Sequence, residues 1–406
     1  MDDILFLAHR IPYPPDRGDK IRSWHMLKHL GGLARVHLAC FADDETDASH
    51  LPALRDAMGG SLGEAHVELR RTGRLKAGIR AMAGGQPVSL PLFDSTPLRG
   101  FVDRMRKSGR IGTIFAFSGQ MAQFAPQGAS QRFIMDFVDM DSAKFAAYAE
   151  KGIAPRSWAY RREAEKLFAF ERATAGRADV SLFVSEAEAQ LFRIMAGLPR
   201  ADIRAIQNGV DLDFYDPTAD FMKLEPLDGP LIAFTGQMDY PPNVEAVTGF
   251  ARDVLPLIRQ QRPDARFAIV GRNPAEAVKK LGQGGDVLVT GAVPDVRSWL
   301  AAADVVVAPL RIARGIQNKV LEAMAMARPV VASPAAFEGI EAEAGRDLLV
   351  ADGARAQAEA VLSLLDPSAA QTMGVNARAQ MQRAYRWETR LAPLTDILAG
   401  PRRAAA

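Results

Sequence analysis

Asp304-Val-Val-Val-Ala-Pro-Leu-Arg-Ile-Ala-Arg-Gly315-Ile-Gln-Asn-Lys319-Val-Leu-Glu322-Ala-Met-Ala-Met-Ala-Arg-Pro329-Val-Val-Ala332 is the stretch that decides the fold. A short apolar run, 304–308, is broken by Pro309. A polar loop with Gly315 leads into a helical pattern over 317–327, and a second apolar run, 329–332, follows at once. Strand, helix and strand at this spacing make one parallel crossover unit. The pattern repeats in both directions. Apolar runs at 4–8, 36–41, 114–117, 132–135, 180–184, 231–234, 266–270, 287–289 and 348–350 read as buried strands, with helical stretches such as 244–259, 296–302 and 354–364 between them. Uninterrupted apolar strands alternating with helices imply parallel sheets covered on both faces. In such sheets ligands meet the loops at the carboxyl ends of the strands.

The chain has 406 residues, more than a single core of roughly 250–300 usually holds. Two domains are expected. A break at 211–230, with Pro217, Pro226 and Pro230 and no periodicity, reads as the linker between residues 1–210 and 231–385. Residues 386–406 are expected as a helix and tail packing back toward the first domain. Residues 51–110, with several Gly and Pro and many Arg, show no regular pattern. No apolar run approaches the roughly 18 residues that span a bilayer, and the acidic start is not a signal peptide. A single cysteine, Cys40, in an apolar run reads as core packing; a cytoplasmic location is the resulting expectation. Lys plus Arg is 50 and Asp plus Glu is 48, a balance that argues against nucleic-acid binding.

Several strand ends carry chemistry-bearing residues. The backbone N–H groups at the start of the helix near 317 suit a diphosphate, Gly315 permits close approach, Lys319 adds a cation, and Glu322 on the same face suits the hydroxyls of a ribose. The same spacing fits an amphipathic helix with a surface Lys–Glu pair. After the first strand, Arg17, Gly18, Asp19, Lys20 and Arg22 read as ligand-holding groups or as a helix cap. Asp136, Asp139 and Asp141 follow the strand at 132–135 and read as groups that orient or deprotonate an acceptor hydroxyl, as oxygen ligands for a divalent ion, or as helix caps.

Asn318-Lys-Val-Leu-Glu-Ala-Met-Ala-Met-Ala-Arg-Pro-Val-Val-Ala332, Gln207-Asn-Gly-Val-Asp-Leu-Asp-Phe214, Gly236, Ala268-Ile-Val-Gly271 and Val289-Thr-Gly-Ala-Val-Pro-Asp295 together resemble family 4 glycosyltransferases of the GT-B fold. With His9-Arg-Ile-Pro-Tyr-Pro-Pro-Asp-Arg-Gly18-Asp-Lys-Ile-Arg-Ser-Trp24, Asp136-Phe-Val-Asp-Met-Asp-Ser142 and Ala313–Lys319, the chain also resembles the sugar transferases of exosortase and PEP-CTERM exopolysaccharide systems. The resemblance implies an α/β chain of two Rossmann-like, doubly wound domains facing a cleft. It implies transfer, with retention, from a UDP or GDP sugar to a saccharide or lipid-linked saccharide, with no resident cofactor and no metal requirement. Gly18, Lys20, Gly236, Gly271, Arg272, Thr290, Gly291, Val293, Arg314, Gly315, Ile316, Gln317, Asn318, Lys319 and Glu322 would bind the nucleotide sugar. Arg17, Asp19, Asp136, Asp139 and Asp141 would serve the acceptor side. The family's first acid of its paired glutamates falls at Arg314, a departure that leaves a silent binding protein as a rival reading. A sugar-nucleotide epimerase of the same fold is another.

The charge is not evenly spread. Residues 1–205 carry 29 Lys/Arg against 24 Asp/Glu, and residues 206–406 carry 21 against 24. From Leu69 to Phe93 there are five basic residues and no acidic one. That segment reads as a basic amphipathic helix able to rest on anionic lipid at the inner face of the membrane, or as a solvated helix face. The sequence carries no signal for oligomeric state.

Overall fold

The computed structural model describes residues 2–128, 130–152, 154–225, 228–313 and 315–400. The chain forms two compact units, one of residues 2–207 with 391–400 and the other of Asn208–Arg390.

In the first unit β1 (Asp3–Ala8), β2 (Val36–Ala42), β3 (Leu62–Leu69), β4 (Ile111–Phe117), β5 (Arg132–Val138), β6 (Val180–Phe183) and β7 (Ile203–Ala205) form one sheet in the order β3-β2-β1-β4-β5-β6-β7. Every pairing is parallel. In the second unit β8 (Leu231–Thr235), β9 (Arg266–Val270), β10 (Val287–Gly291), β11 (Val305–Ala308), β12 (Val330–Ala332) and β13 (Leu349–Val350) form a parallel sheet in the order β10-β9-β8-β11-β12-β13. Both are doubly wound α/β sheets, as the alternation of apolar runs and helices predicts. The order reverses between β1 and β4 in one sheet and between β8 and β11 in the other, and a crevice opens outside the carboxyl ends at each reversal.

The central strands are almost wholly apolar because helices cover both faces. Ile4–Ala8 and Leu231–Phe234 are buried throughout, and each large side chain so buried contributes roughly 1.5–3 kcal/mol. Residues 51–110, without pattern in the sequence, contain β3 and the helices Leu51–Ala57, Arg74–Ala83 and Thr96–Lys107. β3 is an edge strand, so Glu64, His66 and Glu68 sit only half-buried and break the apolar run that marks the other strands.

Residues 211–225, expected as a linker, are packed on the second unit. Leu212 joins its core, Val210 N–H donates to the Tyr385 carbonyl at 2.7 Å, and Arg378 donates to the Tyr215 carbonyl at 2.7 Å. The segment is held both by these contacts and by its own turns, in which Tyr215 N–H donates to the Asp211 carbonyl at 2.8 Å and Thr218 N–H to Asp216 Oδ1 at 2.8 Å.

Candidate active site

The loops after β8 and β11 flank the reversal in the second sheet. β8 ends in Thr235 and turns at Gly236, whose N–H donates to the Val270 carbonyl at 3.0 Å; Met238 N–H donates to the Arg272 carbonyl at 2.9 Å. Gly236 and Gly271 are in direct backbone contact. A Cβ on Gly271 would lie 1.6 Å from the Gly236 carbonyl oxygen, and one on Gly236 would lie 2.9 Å from Asn243 Nδ2 and 3.4 Å from Lys319 Cε. Only glycine fits at either place.

Lys319 stands in the first turn of the helix Asn318–Ala325. Its Nζ donates to Asn243 Oδ1 at 2.8 Å and lies 4.8 Å from the Phe234 ring centroid. Asn243 is 5% exposed, and its Nδ2 donates to the Gln237 carbonyl at 2.9 Å. Burial pushes the Lys319 ammonium down to about 8, with Glu322 pulling the other way. Burial likewise raises the Glu322 carboxyl, opposed by a hydrogen bond from the Tyr215 hydroxyl and by Lys319. The Gln317 side chain makes no capping hydrogen bond at the start of this helix. The site thus gathers a glycine corner, a helix start, a fixed cation and a carboxylate. Groups of these kinds suit a diphosphate and a ribose.

Other expected donor-side residues stand on loops and strand ends of the same unit, whereas Gly18 and Lys20 belong to the first unit. Gly315 has φ 65°, Gln317 Nε2 donates to the Gly315 carbonyl at 3.1 Å, and Ile316 is buried in the core. Asn318 Oδ1 is buried without a hydrogen-bond partner. Thr290 Oγ1 donates to the Gly291 carbonyl at 2.8 Å at the end of β10, and Val293 packs against the core beside it. Arg314 lies outside the described residues. Asn243 and Tyr215 were not singled out in the sequence; Asn243 follows two prolines after a strand end, and Tyr215 sits in the stretch read as linker.

In the first unit the expected residues divide. Gly18 opens the helix Gly18–Leu33. Asp19 faces His9 Nε2 at 3.1 Å and accepts from Arg10; although burial opposes it, these partners hold its carboxyl well below the usual range. Arg17 donates to Asp43 at 3.4 Å. Two expectations need correction. Lys20 is 2% exposed and ion-paired with Asp47 at 2.5 Å, so it is interior rather than ligand-facing. Asp136 is 0% exposed; it accepts from Arg22 Nε at 3.0 Å and Nη2 at 3.3 Å and from Val138 N–H at 3.0 Å. Arg22 also donates to the Ile206 carbonyl at 2.7 Å, tying the first long helix to β5 and the end of β7. Two buried charges are tolerable here because each is paired and hydrogen-bonded.

Asp139 and Asp141 are half-buried and share Lys144, at 3.8 and 3.0 Å. Burial raises the Asp139 carboxyl, and Asp141 and Asp136 add to the rise while Lys144 opposes it. Val138 just before it has φ 70°, and Ser118 at the end of β4 has φ 75°. A β-branched residue in the left-handed region is strained, and such strain gathers at functional sites. Among the described residues no group of three or more His, Cys, Asp and Glu side chains is placed to hold a metal ion.

Residues 229–367 match the family model described as glycosyl transferases group 1. That stretch, about a third of the chain, is similar to group 1 glycosyl transferases. Its structure resembles HepE of Anabaena, solved with UDP and glucose (TM-score 0.67, 16% identity, 99% of this chain and 100% of that one). It also resembles a sucrose-phosphate synthase of Thermosynechococcus elongatus (TM-score 0.68, 17% identity, 98% of each chain). The fold is GT-B. In sequence the chain is similar to a GDP-mannose-dependent alpha-(1-6)-phosphatidylinositol monomannoside mannosyltransferase of Mycolicibacterium smegmatis, 31% identical over 252 residues, covering 56% of this chain. It is also similar to a phosphatidyl-myo-inositol mannosyltransferase of Propionibacterium freudenreichii, 29% identical over 160 residues, covering 39% of this chain. These matches span 64% and 39% of the two relatives' own lengths.

The titration of Lys319 has a measurable consequence. With its free pKa near 8, the group is charged below that pH and loses its proton above it. A bound diphosphate stabilises the charged form. Nucleoside diphosphate binding at about pH 8.5 is therefore expected to take up a proton, read as a dependence of calorimetric enthalpy on the buffer's ionisation enthalpy. Lys319→Ala abolishes that uptake.

Proposed function

We propose that the chain is a glycosyltransferase that moves a sugar from a UDP or GDP sugar to a saccharide or lipid-linked saccharide, with retention, in the assembly of an exopolysaccharide. The observation that carries this reading is the Gly236–Lys319–Glu322 constellation at the reversal of the second sheet. Lys319 and the helix N–H groups would stabilise the negative charge that grows on the leaving diphosphate, the step where most of the rate enhancement of such a transfer lies. Glu322, oriented by the Tyr215 hydroxyl, would accept from the ribose hydroxyls. Thr290–Val293 and the turn at Gly271 and Arg272 would meet the base. On the first unit, Arg17, Asp19, Asp139 and Asp141 would face the acceptor. Two relatives named for lipid-linked inositol acceptors favour an acceptor of that kind.

Release of nucleoside diphosphate from a panel of nucleotide sugars, with and without a lipid-linked saccharide, tests the reading. Acceptor-dependent release is expected. Release at the same rate without acceptor favours an epimerase or hydrolase, and tight binding without turnover favours a silent protein.

Peripheral membrane contact belongs to the same proposal. No helix among the described residues is long and apolar enough to cross a membrane. The helix Arg74–Ala83 instead exposes Leu75 (82%), Ile79 (65%) and Met82 (63%), four and three residues apart on one face, beside exposed Lys76 and Arg80. Exposed apolar groups flanked by cations suit an anionic bilayer surface. Leu75→Glu with Ile79→Glu is expected to abolish co-sedimentation with phosphatidylglycerol vesicles while leaving turnover of a soluble acceptor intact. Undiminished sedimentation would contradict the assignment.

A further inference from the structure

Three arginines from the first unit gather at the carboxyl ends of three neighbouring strands. Arg10 and Arg17 follow β1, Asp43 follows β2, and Arg70 follows β3. All three guanidinium groups donate to the one Asp43 carboxylate: Arg10 Nε at 2.8 Å, Arg70 Nη2 at 3.0 Å and Arg17 Nη2 at 3.4 Å. Asp43 is itself anchored, because its N–H donates to Asp47 Oδ2 at 3.1 Å and Asp47 is held by the buried Lys20. Lys20 therefore positions the cluster from beneath.

The cluster holds more positive charge than it neutralises. Arg10, Arg17 and Arg70 share two carboxylates, Asp43 and Asp19. The hydrogen bonds are also incomplete. Arg17 Nε and Arg70 Nε are buried with no hydrogen-bond partner, and so is His9 Nδ1. Buried donors left unpaired in a folded protein call for an explanation. His9 is fixed by stacking on Phe117 at 5.9 Å and by Nε2 against Asp19, and Arg70 lies 5.6 Å from the Phe93 ring centroid. The arginine side chains stay 27–31% exposed. A cavity of about 200 Å³ opens beside Arg70; Arg71 also lines it, as do the carboxylates Glu68 and Asp94, and Asp94 is paired with Arg99 at 3.1 Å.

We infer that Arg10, Arg17 and Arg70 form an oxyanion-binding subsite that takes a phosphate group carried by the acceptor. This deepens the proposed glycosyl transfer and rests on that reading. Planar guanidinium groups match the tetrahedral oxygens of a phosphate in pairs, and the charge-assisted hydrogen bonds so formed are the strong ones. In the tautomer that donates Nε2–H to Asp19, His9 Nδ1 presents a lone pair and accepts from a hydroxyl next to the phosphate. Asp43 holds the three cations together before the ligand arrives, so little ordering is left for binding to supply.

The phosphate can sit on a lipid headgroup or on a soluble sugar phosphate, and two probes separate them. The full chain, saturated with nucleoside diphosphate to fill the second unit, is titrated with glucose 1-phosphate and, in parallel, with vesicles containing phosphatidylinositol. Binding to at least one probe is expected, weakened about tenfold or more by Arg70→Gln and by Arg10→Gln, with partial recovery in Arg10→Lys. Nucleoside diphosphate affinity is expected to stay unchanged in these variants, which also shows that they are folded. Response to the soluble probe alone identifies a free phosphorylated saccharide, and response to vesicles alone identifies a lipid headgroup. No binding of either probe by the nucleotide-saturated chain, or full affinity in both glutamine variants, overturns the subsite. Loss of nucleotide binding in Lys319→Ala tests the transferase reading separately, so failure of one is not mistaken for failure of the other.

Discussion

Lys319→Ala is expected to weaken nucleoside diphosphate binding at least tenfold and to lower kcat/KM for glycosyl transfer by about 10²–10³, the usual cost of removing one donor to a developing oxyanion. Lys319 Nζ is held by Asn243 against the Gly236 turn, beside the start of its own helix, so the cation is already in place where a diphosphate would arrive. A preorganised charge in a partly buried site loses little energy to reorganisation. Titration calorimetry and steady-state rates check both numbers. Glu322→Gln serves as the companion variant. It keeps an oxygen for the Tyr215 hydroxyl and the shape of the side chain, but loses the carboxylate that would hold the ribose. A smaller loss in affinity is expected there, with the melting temperature unchanged.

Arg22→Ala is expected to produce the largest loss of stability, about 3–5 kcal/mol, because it strands the Asp136 carboxylate in the interior of the first unit. Arg22 is 1% exposed and Asp136 is 0% exposed, so water cannot replace the missing partner. The Ile206 carbonyl loses its donor at the same time. Arg22→Met with Asp136→Leu removes both charges and restores apolar packing; it is expected to recover most of the loss. Denaturant unfolding of the two variants distinguishes a structural ion pair from an acceptor-binding one. A double variant no more stable than Arg22→Ala would contradict the assignment of the pair as structural.

The sequence and the structure part company for identifiable physical reasons. Strands such as β8 and β9 are legible because helices on both faces require unbroken apolar runs, and the doubly wound order follows from their alternation with helices. β3 is hidden because an edge strand tolerates Glu64 and Glu68 on its open side. The glycine corner is readable because it lies directly at two strand ends, and Lys319 with Glu322 because they share one face at the start of the helix Asn318–Ala325 that follows β11. Lys20 and Asp136 sit at equally suggestive positions. Their burial is decided by Asp47 and Arg22, 27 and 114 residues away along the chain. No local pattern records such pairings. The arginine cluster is invisible for the same reason, since Arg10, Asp43 and Arg70 meet only once β1, β2 and β3 lie side by side.

The loops after β8 and β11 are proposed to hold a nucleoside diphosphate. A crystal structure of the full chain grown with UDP or GDP tests it most directly. The expected result places the diphosphate at Gly236, Lys319 and the first turn of the helix Asn318–Ala325, with the ribose hydroxyls on Glu322. A nucleotide bound away from these residues, or no binding at saturating concentration, would contradict it.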